Sequence, residues 1–370
     1  MIIIALFFHF LDGIKGCINS IYLGEYVNFR PTIMMQFVNE NTQSNILLNT
    51  YLPISVTHLV YSKYRKENLL NNQTLYLGFH YPSVLYKTNI LINDKIAINN
   101  LLTYNVKKEN IVFYKDQGLA LGYHIKDESF SIVHQLYKKN MIDHLQFAFK
   151  NLYGKSAQFY IGGVPKNENL YFPYKVSIKV DETLPTWGFT IDKLIFNGIE
   201  YDIGLSAIIS SASDTFFISD DLYNIFDNTI LRQSIQKGLC NLRQKDHERY
   251  IKCSKSVLSN PTSLIINDIT FTFSSEIFSD DNSDYGLVAS NYYDIPRKAH
   301  NFTGIILGPQ FISLFNYTIF DYENKQVELY SDTTIIELAN KKSIIIKKLL
   351  YIQFLLLLLN IILLIYTKHL

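Results

Sequence analysis

Short apolar or alternating runs recur from about residue 26 to 340, most of them bounded by Asn, Asp or Gly. They are TIMMQFV, SNILLNTYL, QTLYLGFHY, NILINDKIAI, SAQFYIGG, YKVSIKV, FTIDKLIFNG, SLIINDITFTF and YTIFDYENKQVELY. Alternation with a period of two marks a strand, because successive side chains leave a strand on opposite faces. Helical spacing is clearest in SFSIVHQLYKKNMI (129–142) and DDLYNIFDNTILRQSIQKGL (220–239). The second starts after Ser219, carries Asp220 and Asp221 in its first turn and has a glycine at its end, as helix boundaries do. The pattern predicts a mainly β body with a few short helices.

Both ends break the alternation. Residues 2–11, IIIALFFHFL, are an apolar run of signal-peptide length, and small residues follow in GIKGCINS. They predict a signal peptide over 1–20, cut between Gly16 and Ser20. The positive n-region is missing, and a buried first strand is the other reading. At the far end LLYIQFLLLLLNIILLIY (349–366) has only Gln353 and Asn360 as polar members. About 20 apolar residues cross a bilayer core, and a buried soluble helix would keep a polar face. A C-terminal transmembrane helix or a lipid-anchor signal over 345–366 is expected. Lys347 and Lys348 would sit on the lumenal side, against the positive-inside tendency, which favours the lipid-anchor signal or a tail-anchored topology. The body would then face the lumenal or extracellular side of a secretory or surface membrane.

Charge changes little in this picture. With 34 basic and 33 acidic residues the net charge is +1, so no basic stripe points to nucleic acid. The sequons at Asn72, Asn301 and Asn316 fit a secretory body without proving it. Of three cysteines, Cys17 lies in the targeting segment. Cys240 and Cys253 remain, to bridge in an oxidising compartment or to stay as buried thiols. No C-x-x-C pattern, His-Glu-x-x-His, Gly-x-Ser-x-Gly elbow or phosphate loop occurs, so no metal or cofactor is expected. His80, His124, His134 and His144 read as packing or surface residues. No base can be assigned to Ser210 or Ser211 as nucleophiles.

There is a weak internal repeat. Near residue 49 the run ILL leads into Asn49-Thr50-Tyr51, and near 210 AII leads into Ser210-Ser211-Ala212. Each is followed downstream by an apolar pair before Gly, LALG at 119–122 and IILG at 305–308. Two related lobes are expected, 21–175 and 176–340.

This order of blocks resembles the pepsin-type aspartic proteases. IILGPQFISLFNYTIFDYENKQVELY (305–330) is similar to that family's closing block. TWGFTIDKLIFNG (186–198) is similar to the strand pair before its second active-site loop, and AIISSASDTFFIS (207–219) falls where that loop should be. In the first half, SNILLNTYLPIS sits at the first active-site loop. YLGFHYPSVLYKTNILIND (76–94) resembles the flap hairpin, with Tyr76 at or near the flap tyrosine. QGLALGY (117–123) resembles the end of the first lobe, and SAQFYIGGVP (156–165) the strand after it. The resemblance covers roughly residues 25–332 and implies a two-lobed pepsin-like fold.

It also implies a chemistry that these residues do not supply. Aspartic proteolysis uses two carboxylates, one per lobe, sharing a proton because two like charges that close cannot both ionise. Here the two positions read Asn49 and Ser210, neither of them acidic. Thr50 is retained, while Tyr51 stands where a small residue lets the loops approach. Shifting the register to Asp214 would put SSAS before the acid, and no acidic residue lies between Asn41 and Lys63. The expectation is a membrane-anchored, inactive homologue that binds an extended peptide or protein as a monomer. Asn49 and Ser210 would line the cleft floor and Tyr76 its roof, with Thr50, Tyr51, Ser211 and Ala212 as the other cleft residues; the other reading has Tyr51 fill the cleft, leaving a scaffold whose binding face lies elsewhere. The alternative is a divergent endopeptidase using Asp214 and a second acid at low pH.

Overall fold

The computed structural model describes residues 18–338 except 23–30, 38–41, 51–54, 58–68, 77–79, 93–95, 107–117, 124–127, 153–156, 167, 185, 203, 213–216, 227–231, 246–247, 255, 258–259, 275–284, 291–303 and 334–335. Residues 1–17 and 339–370 therefore lie outside the described residues, and with them Cys17, most of the signal peptide and the whole of the 345–366 anchor.

Strands dominate and are gathered into four sheets. A six-stranded sheet lies at the junction of the two halves. Its order is Ile18–Tyr22, Gln158–Ile161, Gln146–Lys150, Tyr317–Asp321, Gln326–Ser331 and Tyr174–Lys179. Three strands come from each half, and they meet where Gln146–Lys150 runs antiparallel to Tyr317–Asp321. The order is near-symmetric about that seam. The lobe boundary placed between residues 175 and 176 falls inside its last strand. The signal-peptide end placed at residue 20 falls inside its first, which pairs Ile18 with Ile161 and Ile21 with Phe159.

The first half adds a seven-stranded sheet in the order Thr32–Phe37, Thr42–Asn49, Gly118–Ala120, Ser55–Thr57, Ile96–Val106, His80–Ile92 and Leu69–Tyr76. The second half adds seven strands, Gly188–Ile191, Leu205–Ile209, Gly304–Leu307, Phe217–Ile218, Tyr285–Ser290, Glu248–Ser254 and Cys240–Lys245. A five-stranded sheet completes it. Most pairings are antiparallel, but Thr42–Asn49 runs parallel to Gly118–Ala120, and Leu205–Ile209 parallel to Gly304–Leu307. A strand inside such a pair is covered on both faces and reads as a continuous apolar run, which is why ILL and AII show no alternation. Leu205–Ile209 and Gly304–Leu307 lie so close that a Cβ on Gly304 would sit 1.8 Å from the Ser206 carbonyl oxygen. Only glycine fits there.

The flap-like hairpin is longer than its sequence block suggested. Its arms are Leu69–Tyr76 and His80–Ile92, joined through 77–79, so Tyr76 ends the first arm opposite His80. The run QTLYLGFHY covers the end of the first arm, and the arm extends back from it to Leu69 with a register shift between Leu69 and Asn71. Asn72 lies on this arm, the edge strand of its sheet.

Helix α1, Ile132–Lys138, realises the first helical block, capped by Ser131. Within the 220–239 block the described residues form α2 (Asp220–Phe226) and α3 (Arg232–Gln236). The segment Asp227-Asn228-Thr229 between them lies outside the described residues. Cys240 and Cys253 form a disulfide between directly paired residues of a hairpin, with Cα atoms 4.0 Å apart. One core cluster runs through both halves, from Ile33 and Leu48 to Ile305 and Leu329.

Candidate functional site

Each parallel pair delivers one loop to the junction. Thr42–Asn49 buries Ile46 and Leu48 and turns at Thr50, which is fully buried. Leu205–Ile209 buries Ala207, Ile208 and Ile209 and turns at Ser210 and Ser211, both buried. The two strands are held alike. Leu48 donates its amide to the Pro31 carbonyl and Ile209 donates its amide to the Trp187 carbonyl, each at 2.9 Å. By that correspondence Asn49 and Ser210 occupy equivalent places, as do Thr50 and Ser211.

Thr50 and Ser211 bind each other across the junction. The Thr50 amide donates to Ser211 Oγ at 3.0 Å, and the Ser211 amide donates to Thr50 Oγ1 at 2.9 Å. Thr50 Oγ1 donates onward to the Ile209 carbonyl at 3.0 Å, and Ser211 Oγ donates to the Leu48 carbonyl. The remaining polar group of Thr50, its carbonyl, accepts from Thr186 Oγ1 at 2.7 Å. Every polar group of Thr50 is thus bonded to the second half of the chain.

A second set of bonds holds the neighbouring first-half segment. Trp187 Nε1 donates to the Leu121 carbonyl at 2.6 Å, and the Tyr123 amide donates to Thr186 Oγ1 at 3.3 Å. The Tyr322 hydroxyl donates to the Gly122 carbonyl at 3.4 Å. Trp187 is fully buried, edge-on to Tyr123, Phe147, Phe320 and Tyr322 at centroid distances of 4.8–5.9 Å. Burial pushes the Tyr322 phenol far above its ordinary range, so it stays neutral. His134 of α1 stands edge-on to Tyr322 at 4.8 Å, with Nδ1 2.9 Å from Ser131 Oγ.

The described residues of the loop pair are neutral. Asn49, Thr50, Ser210 and Ser211 can donate and accept hydrogen bonds through their side chains and Ala212 cannot, and none of them can hold a proton in trust for a second carboxylate. Ala212 is 8% exposed. Tyr51 and Asp214 lie outside the described residues, as does Asn301. Asn316 is half-buried and already bonded through its side chain, donating to Asp332 Oδ2 at 3.3 Å and accepting the Asp332 amide at 2.9 Å. Among the described residues no group of three or more His, Cys, Asp or Glu could hold a metal ion, and no helix is long and apolar enough to cross a membrane.

Sequence reasoning found the two loops but missed Thr186 and Tyr322. The single Trp was visible as part of a block, and its indole bond was not. Thr186 gives no sequence signal, because its partner lies 136 residues away.

A family model described as "Eukaryotic aspartyl protease" matches residues 71–331. The match begins downstream of the Asn49–Tyr51 loop and takes in the hairpin, the second loop and the closing strands. Among solved structures, the aspartic proteinase from Irpex lacteus superposes with a TM-score of 0.59 at 13% sequence identity, over 85% of this chain and 96% of that one. Identity that low speaks for the fold alone. No curated protein matches the chain in sequence.

Proposed function

Because the chain belongs to the eukaryotic aspartyl protease family, we propose that it is a member that binds and does not cut. An extended peptide or protein segment would lie between the lobes, under the 69–92 hairpin, held by main-chain hydrogen bonds as strand-like ligands are. The observation that carries this reading is the cross-bonded pair Thr50–Ser211. It supports taking the residues just before them, Asn49 and Ser210, as the pair facing the ligand.

Neither of those residues can take a proton from water at the pH where a carboxylate dyad works. Asn49 offers an amide donor and acceptor, and Ser210 a hydroxyl. Such a pair can bond a peptide carbonyl without activating a nucleophile against it. The apolar segments at 2–11 and 349–366 support a secretory, membrane-anchored body with its lobes on the lumenal or extracellular side.

The test is digestion of a peptide library at acid pH by the purified, folded protein, with and without pepstatin. The same library is then passed over the immobilised protein. No cleavage together with retained peptides is the expected result. Pepstatin-sensitive cleavage would overturn the reading and return Asp214 to consideration as a catalytic acid.

A further inference from the structure

The dipeptide Thr186-Trp187 is bonded to both loops of the pair at once. The Trp187 carbonyl accepts the Ile209 amide at 2.9 Å, one residue before Ser210. Thr186 Oγ1 donates to the Thr50 carbonyl at 2.7 Å, one residue after Asn49. Its neighbour's indole is locked among four aromatic rings and bonded to Leu121, so the dipeptide is a fixed object.

The Thr186 hydroxyl both donates and accepts, and its proton has one place to point. The Tyr123 amide can only donate to it, and the Thr50 carbonyl can only accept from it. The side chain is fully buried and, being β-branched, stiff at χ1. Removing the hydroxyl would leave the buried Thr50 carbonyl without its bond and take one bond from the Tyr123 amide, in two first-half segments together. The cross-bonds between Thr50 and Ser211 tie the loops to each other. Thr186 ties the exit of the first loop to the frame that carries the second.

We propose that Thr186 is a positioning residue of the binding site: from the second half it fixes the Thr50 carbonyl, and so holds the spacing of Asn49 and Ser210 with no ligand bound. The role given to Asn49 and Ser210 rests on the binding reading above. The bridging role does not, and its test needs no ligand.

Hydrogen exchange of individual backbone amides is compared in the full-length protein and its Thr186→Val and Thr186→Ser variants. In Thr186→Val the Thr50 and Tyr123 amides are expected to exchange about tenfold faster or more, since each 1.4 kcal/mol of lost protection is a factor of ten. Amides of the central sheet, such as Phe149 and Ile319, should keep their wild-type rates. Thr186→Ser, which keeps the hydroxyl, should restore both sites. If the Val variant does not fold, Thr186→Ala replaces it. An equal rise throughout the central sheet would make Thr186 an ordinary core contact and overturn the proposal. Unchanged rates at Thr50 and Tyr123 would overturn it as well. A wild-type protein that retains no peptide would sink the binding reading while leaving this exchange pattern to be judged by itself.

Discussion

Thr50 and Ser211, 161 residues apart, make the same two bonds to each other's strand. Each accepts the other's amide on its hydroxyl oxygen, and each hydroxyl donates to the carbonyl two residues before the other, Ile209 or Leu48. A symmetric lock of this kind has strongly coupled parts. Thr50→Val and Ser211→Ala should each destabilise the protein by about 1–3 kcal/mol, because each leaves buried partners unpaired. The double variant should cost clearly less than the sum, since both changes remove the same bonds. Urea denaturation midpoints of the three variants check this, and strict additivity would refute the coupling.

His134 should make the molecule sensitive to mild acid. Burial holds its imidazole below the ordinary value, opposed by Glu128 and assisted by Lys138. Ser131 and Tyr322 are the groups packed on the ring. With the folded pKa below the unfolded one, the unfolded chain takes the proton first. Stability is therefore full above the ordinary histidine range and falls as the pH drops through it, levelling off below the folded value. Thermal midpoints measured from neutral to mildly acid pH should fall less steeply in His134→Gln than in the wild type.

Glu168 should act at lower pH and at another place. It accepts from Lys150 Nζ at 2.8 Å, from Tyr317 at 2.6 Å and from Tyr160 at 3.0 Å. Lys150 and the Tyr317 hydroxyl hold its carboxyl below the usual carboxylate range. Its contribution is present above the unfolded glutamate value and is lost as pH falls through the folded one. Leu170 and Phe172, close behind it in sequence, pack on Tyr160, Tyr317 and Tyr330. Glu168→Gln should raise hydrogen exchange at Phe172 at neutral pH and leave Thr50 unaffected.

The strand Ile18–Tyr22 constrains processing. If the apolar leader is removed, a cut after Ser20 would sever an edge strand of the central sheet. The cut is therefore expected before Ile18, with Gly16 as the small residue available there. Sequencing the N-terminus of the protein purified from cells should read Cys17 first. A start at Ile21 would contradict the strand assignment.

The order of parts was legible in the sequence because each block carries its own local signal. Buried parallel strands read as unbroken apolar runs, and the two loops follow them. The sequence leaves Cys240 and Cys253 to bridge or to stay as thiols, and the structure pairs them across the hairpin as a disulfide. Pairings between distant segments left no trace. Lys150 gives no hint that Tyr317 will lie opposite it, nor Thr186 that its hydroxyl serves Thr50. The 220–239 block reads as one amphipathic run, yet α3 at its end buries none of its residues, because apolar spacing marks a face that could be covered and not the element that covers it.

The seam of the central sheet has a consequence for how the chain is made. Strand Gln146–Lys150 emerges from the ribosome early, but its partner Tyr317–Asp321 is among the last to appear. At 5–20 residues per second, the gap is roughly 10–30 s. Throughout that interval the first half presents an open strand edge, a template for pairing with the wrong chain. A chain that stops before residue 317 is therefore expected to keep that edge open and to aggregate more readily than the full-length protein, which light scattering of the two at equal concentration would check.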